Sequence, residues 1–154
     1  MNNVLEMLDD EAMEGQHTDV KTADLLGFSL PKTLEQYILE KSELPLKWKK
    51  ALPGMSTYDF TIEGCDNAAR IIKMEPGASV PTHGHGGQEL TLIIDGAMTD
   101  ENGTYNVGDL IIQDEGFEHT PVAHENYGCV CLAVSCAAIK LKGIASLLNP
   151  FLTK

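Results

Sequence analysis

The 154-residue chain has little positive charge and no long apolar run. Arg70 is its only arginine and the formal net charge is -12, so the basic patch that contacts nucleic-acid phosphates is missing. No stretch reaches the roughly 18 apolar residues of a membrane helix. The N-terminus, with Glu6, Asp9 and Asp10, lacks the basic start of a secretory signal. We therefore expect a cytoplasmic protein that binds neither nucleic acid nor membranes.

The cysteines form no CxxC pair and no disulfide framework of a small secreted domain. This absence indicates free thiols in a reducing compartment. Cys129 and Cys131 would share one face of a strand, with α-carbons about 6.5 to 7 Å apart, at the edge of disulfide geometry. Two interpretations stay open: a redox-sensitive thiol pair, or two small buried hydrophobic residues. The four cysteines are Cys65, Cys129, Cys131 and Cys136.

The beginning of the chain differs in pattern from the rest. Residues 1–56 show helical spacing, which predicts an N-terminal helical arm and linker. Within it, Thr33 and Gln36 have the spacing of a capping box that opens a helix. The lone Trp48 is expected to pack this arm against the main domain. Residues 57–154 consist of short alternating runs bounded by Gly, Pro and Asn, so we expect one main domain there.

Seven strands are expected in this main domain, and Asn102-Gly103 is a strong hairpin signal between two of them. Short strands without intervening helices indicate an all-β antiparallel sandwich or small barrel. A helical piece around Ile144, Leu147 and Leu148 is expected to follow. The predicted strands lie near residues 57–63, 68–75, 78–83, 89–98, 103–113, 117–124 and 128–137.

Two histidines and a glutamate share one strand parity in the stretch GASVPTHGHGGQELTLIIDG. His83 and His85 are two residues apart, so a strand presents both imidazoles on the same side, and Glu89 has the same parity. Such side chains are costly to bury unless they share a partner, which favours a metal ion. The competing interpretation is a set of ordinary surface or hydrogen-bonded residues.

A second glycine-led stretch, GDLIIQDEGFEHTPVA, adds His119. The spacing of the two stretches resembles the two cupin motifs, which implies a small double-stranded β-sandwich or jelly-roll barrel. The resemblance also implies one divalent metal ion, bound by His83, His85, Glu89 and His119. Three imidazoles and one carboxylate suit zinc, iron, manganese or nickel.

The second stretch departs from the usual cupin pattern at Asp114, where proline is usual, and at Ala123, where asparagine is usual. Neither departure removes a ligand. Asp114, Glu115 and Glu118 are close to His119 in sequence. One of these carboxylates would orient the imidazole ring, or all of them are solvated charges at the rim of the barrel.

Longer stretches resemble the C-terminal half of ChrR-type zinc anti-sigma factors, over roughly residues 33–154. The resemblance implies a zinc-bound cupin that helps to release an extracytoplasmic-function sigma factor under oxidative stress. In that family an N-terminal domain with a His-x3-Cys-x2-Cys zinc site grips the sigma factor. No cysteine precedes Cys65 here, so we expect this chain to lack that head. The stretches are VPTHGHGGQELTLIIDGAMTDE, VGDLIIQDEGFEHTPVAHE, GCVCLA and LLNPF.

Two functions are expected as alternatives. The first is a metal-binding sensor module of a ChrR-like anti-sigma factor or transcriptional regulator, with zinc in a closed shell and no catalytic residue. The second is a small cupin dioxygenase that uses iron, manganese or nickel on a carbonyl or diketone-like substrate. A homodimer is expected in either case, because closed two-fold dimers are the commonest homo-oligomers.

Overall fold

A computed structural model describes residues 26–42, 45–63, 67–135, 139–142 and 146. Within these ranges the fold is mostly β, as predicted, and every strand pairing is antiparallel. The elements are α1 (Lys32–Lys41), β1 (Lys49–Leu52), β2 (Met55–Phe60), β3 (Ala68–Met74), β4 (His83–His85), β5 (Glu89–Asp100), β6 (Gly103–Asn106), β7 (Leu110–Gln113), β8 (Glu118–His119), β9 (Val122–Ala123), β10 (Cys129–Ser135) and β11 (Ile139–Leu141).

Strand β10 lies in the middle of the larger of two sheets. It pairs along its whole length with β3 on one side and with β5 on the other. The sheet has the order β1-β2-β3-β10-β5-β6, and β7 and β9 also pair with β5. A smaller sheet, in the order β11-β4-β8, carries the histidines at 83, 85 and 119. The long β5 is what lets one strand contact so many neighbours.

The predicted strands differ from the observed ones where turn residues interrupt them. The strand expected over 103–113 is divided into β6 and β7 by a turn at Val107 and Gly108, where Gly108 has φ 94. The strand expected over 117–124 is divided at Pro121, which has no N–H to offer a ladder. Both predictions of a continuous strand were therefore wrong.

Two further differences concern the first strands. The strand expected over 78–83 is reduced to an isolated bridge between Ser79 and Val122, and β4 begins only at His83. Strand β1, which pairs with β2, was not predicted at all. Its Lys49 and Lys50 are exposed, so the alternation that marks a half-buried strand is weak there.

Helix α1 begins without the predicted capping box. Pro31 stands at the N-cap with φ -54 and ψ 135, and no side chain caps the helix. Because helix α1 starts at Lys32, Thr33 already lies within its first turn and the prediction that it caps the helix is wrong. The helix packs on the sheet through Ile38, which is 1% exposed. The helical piece expected around Ile144, Leu147 and Leu148 lies outside the described residues.

Two hydrophobic clusters lie on opposite faces of the larger sheet. Successive residues of a strand point to opposite faces, and in β10 Val130 belongs to one cluster while Cys129 and Cys131 belong to the other. The outer cluster consists of Leu26, Phe28, Leu30, Ile38, Leu46, Ile71, Ile94 and Val130. The inner cluster consists of Met74, Val80, Ile93, Met98, Ile111, Ala123, Cys129 and Cys131.

The outer cluster attaches residues 26–42 and 45–48 to the sheet. Trp48 packs against this cluster, as predicted, with its ring centroid 6.3 Å from that of Phe28 and 6.3 Å from that of Tyr58. The phenol of Tyr58 donates a hydrogen bond to Ser42 at 2.6 Å. Among the residues that are described, no helix is both long and apolar enough to cross a bilayer.

Two glycines allow the start of β10 to approach β5 and the end of β3 closely. Gly96 pairs with Cys129 and has φ 71, and Gly128 has φ 74. A β-carbon at Gly128 would overlap the carbonyl oxygen of Met74, and one at Gly96 would overlap the carbonyl oxygen of Gly128. Only glycine suits both the left-handed backbone and the lack of space. These two residues therefore fix the start of β10.

Candidate metal centre

The pairing of β4 with β8 brings the three histidines together. His83 is directly opposite His119 in this ladder, and His85 lies two residues further along β4 on the same face. Each of the three residues is only 4% exposed. Their ligand atoms all lie within 4.8 Å of one another. The strand parity read from the sequence thus produces one buried group of three imidazoles.

The Nε2 atoms of the three rings converge. Nε2 of His119 is 3.0 Å from Nε2 of His83 and 3.2 Å from Nε2 of His85. Two nitrogens that are each about 2.1 Å from one ion lie about 3.0 Å apart at a right angle and about 3.4 Å apart at a tetrahedral angle. The observed separations lie within these limits, so the donor set fits a single transition-metal ion.

The Nδ1 atoms of two rings are directed at acceptors. Nδ1 of His83 lies 3.1 Å from the carbonyl oxygen of Pro81, and Nδ1 of His119 lies 3.0 Å from Oδ2 of Asp100. A carbonyl and a carboxylate can only accept, so each of these Nδ1 atoms carries the ring proton. The Nε2 atoms of His83 and His119 are then unprotonated in the neutral rings and free to bind a metal.

Two unprotonated nitrogens 3.0 Å apart repel each other unless a cation lies between them. Protonation of His83 is unfavourable, because burial, together with the charge of His119, lowers its pKa to about 4. The Nδ1 atom of His85 is also buried without a hydrogen-bond partner. A shared metal ion relieves the repulsion between the Nε2 atoms, and buried polar atoms of this kind are typical of sites that bind an ion.

Glu89 lies beside the three imidazoles and contacts the opposite nitrogen of His85. Its Oε2 is 3.6 Å from Nδ1 of His85, too long for a hydrogen bond, while Oε1 accepts the hydroxyl of Thr91 at 3.4 Å. Burial raises the pKa of Glu89, but the nearby histidines outweigh burial and the net pKa is lowered. The carboxylate is therefore ionised near the site, and its role as the fourth ligand stays a prediction.

Asp100 orients His119, and this role was not predicted from the sequence. Its side chain is fully buried, and its Oδ2 accepts Nδ1–H of His119 at 3.0 Å. Oδ1 accepts the N–H of Asn102 at 2.8 Å and the hydroxyl of Tyr105 at 3.0 Å. Burial raises the pKa of Asp100, but the hydrogen bonds from Asn102, His119 and Tyr105 hold it below its usual value. The residue belongs to the DENG hairpin, where an aspartate signals a turn.

Gln113 is a second unpredicted neighbour of His119. Its side-chain amide is buried, and Nε2 lies 2.8 Å from Nδ1 of His119. This nitrogen of His119 carries a proton and needs an acceptor. The amide of Gln113 is therefore assigned in the flipped orientation, in which its oxygen rather than its nitrogen faces the ring. Of the carboxylates that the sequence placed near the ring, Asp114 binds the amide of Gln88 and Glu118 pairs with Lys142. Asp114 and Glu118 are therefore charges at the rim of the barrel and do not orient the imidazole ring of His119.

Cys129 and Cys131 are free and buried in the inner cluster. The hydrogen bond with Cys129 and complete burial raise the pKa of Cys131 well above its usual value. A thiol held protonated in this way reacts slowly. Their burial agrees with both earlier interpretations, and Cys65 and Cys136 lie outside the described residues.

Two antiparallel sheets, with three histidines on short strands of the smaller one, define a cupin-type architecture. The chain belongs to the family of ChrR cupin-like domains, whose sequence profile matches residues 44–138. This confirms the predicted fold and family.

Among curated proteins, the chain is 35% identical over 122 residues to the anti-sigma-E factor ChrR of Cereibacter sphaeroides. The match covers 79% of this chain but 56% of the relative, so the chain spans little more than half of that protein.

Solved structures show the same fold. A crystal structure of Rhodobacter sphaeroides SigE in complex with the anti-sigma ChrR matches with a TM-score of 0.61 and 30% identity, over 86% of this chain and 74% of that one. KdgF from a Halomonas species matches with a TM-score of 0.50 and 23% identity, over 58% and 84% of the two chains. The polyketide cyclase RemF of Streptomyces resistomycificus matches with a TM-score of 0.53 and 17% identity, over 59% of this chain and 73% of that one. The last two likenesses concern the fold alone.

Proposed function

We propose that this chain is the metal-binding sensor module of a ChrR-like anti-sigma factor. In this proposal His83, His85 and His119, with Glu89 as the fourth ligand, hold one divalent ion, and the ion is zinc. The observation that carries the proposal is the convergence of three Nε2 atoms at 3.0 and 3.2 Å in a buried group. Three imidazoles and a carboxylate suit a closed tetrahedral zinc shell.

The residues around the histidines prepare them for an ion. The carbonyl of Pro81 and the carboxylate of Asp100 fix the protons of His83 and His119 on Nδ1 and thereby direct the Nε2 atoms inward. A bound ion supplies positive charge that compensates for the repulsion between these nitrogens. Metal binding is then coupled to folding, because the group exists only where β4 pairs with β8.

Oxidation is the proposed signal. The proposed partner of the anti-sigma factor to which this module would belong is a sigma factor. The solved complex of SigE with ChrR supports such a partner for relatives of this chain. Oxidation of a histidine ligand would remove a donor, and oxidation of Cys129 or Cys131 would place oxygen in the inner cluster. Either change loosens the barrel. The expected cytoplasmic location and the homodimer belong to the same proposal.

Metal content tests the site. Protein purified without added metal is expected to contain one equivalent of zinc. His85→Ala is expected to lose this zinc, and with it the part of the stability that a chelator removes from the unsubstituted protein. An ion at 100 times its dissociation constant contributes about 2.7 kcal/mol to stability. His124→Ala is the matched control, because His124 stacks on Tyr127 in a turn and lies outside the three-histidine group. Unchanged metal content in His85→Ala would contradict the proposal.

Exposure to an oxidant separates a sensor from an enzyme. The zinc form is expected to release its metal stoichiometrically when treated with peroxide or photosensitised oxygen. Full metal retention, together with repeated turnover of a diketone by the iron-loaded protein, would support a dioxygenase instead.

Sedimentation at tens of micromolar tests the dimer, and a single species with the mass of one chain would contradict it.

A further inference from the structure

One outer surface of the larger sheet is apolar, and its edge strand β7 is exposed. In β7, Leu110 is 56% exposed and Ile112 is 58% exposed, while the alternating Ile111 and Gln113 point inward and are buried. Leu110 pairs with Leu92 of β5, and Ile112 pairs with Leu90. Cross-strand partners have β-carbons about 5 Å apart, so these four side chains form one continuous patch. We call Leu90, Leu92, Leu110 and Ile112 the β5–β7 face.

The β5–β7 face continues the surface on which residues 26–42 and 45–48 pack. Leu92 pairs with Leu132, which contacts the outer cluster, and Leu90 pairs with Val134 on the same side of β10. The N-terminal segment covers the part of this surface near Ile71 and Val130. It leaves Leu110 and Ile112 exposed at the edge. Exposed patches of this kind on a sheet are typical of interaction sites.

The charges that flank β7 along the chain have one sign. Residues 74–139 contain no lysine and no arginine, whereas they contain ten carboxylates. Asp109 precedes β7 and Asp114 follows it, and both are exposed. The exposed large hydrophobic side chains in the described part of the chain fall within the same stretch: Val107, Leu110, Ile112, Val122 and Tyr127. The ten carboxylates are Glu75, Glu89, Asp95, Asp100, Glu101, Asp109, Asp114, Glu115, Glu118 and Glu125.

We propose that the β5–β7 face is a docking surface for a basic amphipathic segment of a partner protein. Apolar residues of the partner would cover Leu110 and Ile112, and flanking Lys or Arg residues would face Asp109 and Asp114. Such charge complementarity raises the association rate and selects the partner. The proposal concerns a surface outside the histidine group and does not depend on a bound metal.

Charge argues against two other occupants. A second copy that used the same face across a two-fold axis would place Asp109 and Asp114 of both copies at one interface. Residues 1–25 carry seven carboxylates and one lysine, so they match this surface poorly. The nearly uncharged stretch of residues 143–154 is a different alternative, and the experiment below distinguishes it.

Two short synthetic peptides of equal length test the proposal with the full chain. One has leucine on one helical face and lysine on the other, and the second has the same composition in an order without a stripe. The striped peptide is expected to shift backbone amide resonances of β5 and β7 and to bind about tenfold more tightly than the stripeless one. Binding is expected to weaken as salt rises, because exposed charges contribute. Equal affinity for the two peptides would overturn the proposal.

Matched variants locate the contact. Leu110→Ser with Ile112→Ser is expected to weaken the striped peptide about tenfold, because the apolar contact is lost. Val122→Ser with Tyr127→Ser removes two exposed apolar side chains elsewhere and is expected to change affinity less than about twofold. Equal losses in both pairs would mean non-specific attraction to an acidic protein and would overturn the proposal.

The free protein reveals the other occupants. A dimer that dissociates in the Leu110→Ser, Ile112→Ser variant would identify a second copy as the occupant and overturn the proposal. Slow amide exchange of residues 143–154 that becomes fast in the same variant would identify that stretch instead and overturn it as well. A monomer, or a dimer that persists in the variant, without such coupling supports a partner from outside the chain.

Discussion

Replacing Asp100 by asparagine tests how the buried carboxylate controls the metal centre. Oδ1 already accepts two donors, from Asn102 and Tyr105, and Oδ2 accepts Nδ1–H of His119 at 3.0 Å. An asparagine keeps only one oxygen, which the two donors retain, so its NH₂ group faces His119. Two N–H groups cannot bond to each other. His119 then loses its carboxylate acceptor and keeps only the amide of Gln113 at Nδ1, so a larger fraction of the molecules is expected to carry the proton on Nε2, the nitrogen directed at His83.

The expected loss follows from that change of tautomer. Removing the partner that orients a ligating histidine lowers metal affinity about 10- to 100-fold, which corresponds to about 1.4 to 2.7 kcal/mol. Competition with a chromogenic chelator measures the affinity, and the nitrogen resonances of labelled His119 report which nitrogen is protonated. Tyr105→Phe is the control, because it removes one donor and leaves the carboxylate facing His119. Unchanged affinity in Asp100→Asn, with the proton still on Nδ1, would refute this reasoning.

Three further perturbations test the fold and the site. In protein freed of metal by a chelator, the pKa of His83 is about 4 in the folded state, against an ordinary 6.5. Between pH 4 and pH 6.5 the unfolded chain therefore binds a proton that the folded protein does not bind. Stability is therefore expected to be greatest above pH 6.5 and to fall by about 3 kcal/mol towards pH 4 in urea melts, a loss that His83→Gln should reduce. Gly128→Ala is expected to cost about 2 to 5 kcal/mol through backbone strain and overlap with Met74. The control Gly116→Ala, at φ 84 with open space, should cost about 1 to 2 kcal/mol, and equal costs would contradict the overlap. Ile38→Ala is expected to cost about 2 to 5 kcal/mol by thermal denaturation followed by Trp48 fluorescence. The half-buried Leu34→Ala should cost less, and a neutral Ile38→Ala would show that the outer cluster does not hold α1.

The sequence predicted the histidine group because its geometry is local. Strand parity places His83 and His85 on one face, and the motif spacing anticipates the pairing of β4 with β8 that brings His119 opposite. Asp100 could not be recognised in the same way. It reaches His119 only because β5 runs for twelve residues, from Glu89 to Asp100, and this path depends on long-range pairing. The strands at 103–113 and 117–124 were overextended because hydrophobic alternation continued through residues that turn the backbone.

Strand β10 separates the two hydrophobic clusters by the thickness of a single backbone. Cys129 and Cys131 face one side, while Val130, between them, packs against the segment that contains Leu26, Phe28 and Ile38. Protein interiors are close-packed, so an atom added to either sulfur is expected to press on the strand that carries it and displace it. Because β3 and β5 hold β10 along its whole length, that displacement is directed across the sheet. If the proposed oxidation takes place inside the barrel, its effect is therefore expected to reach the N-terminal segment through the wall, over a distance of one residue.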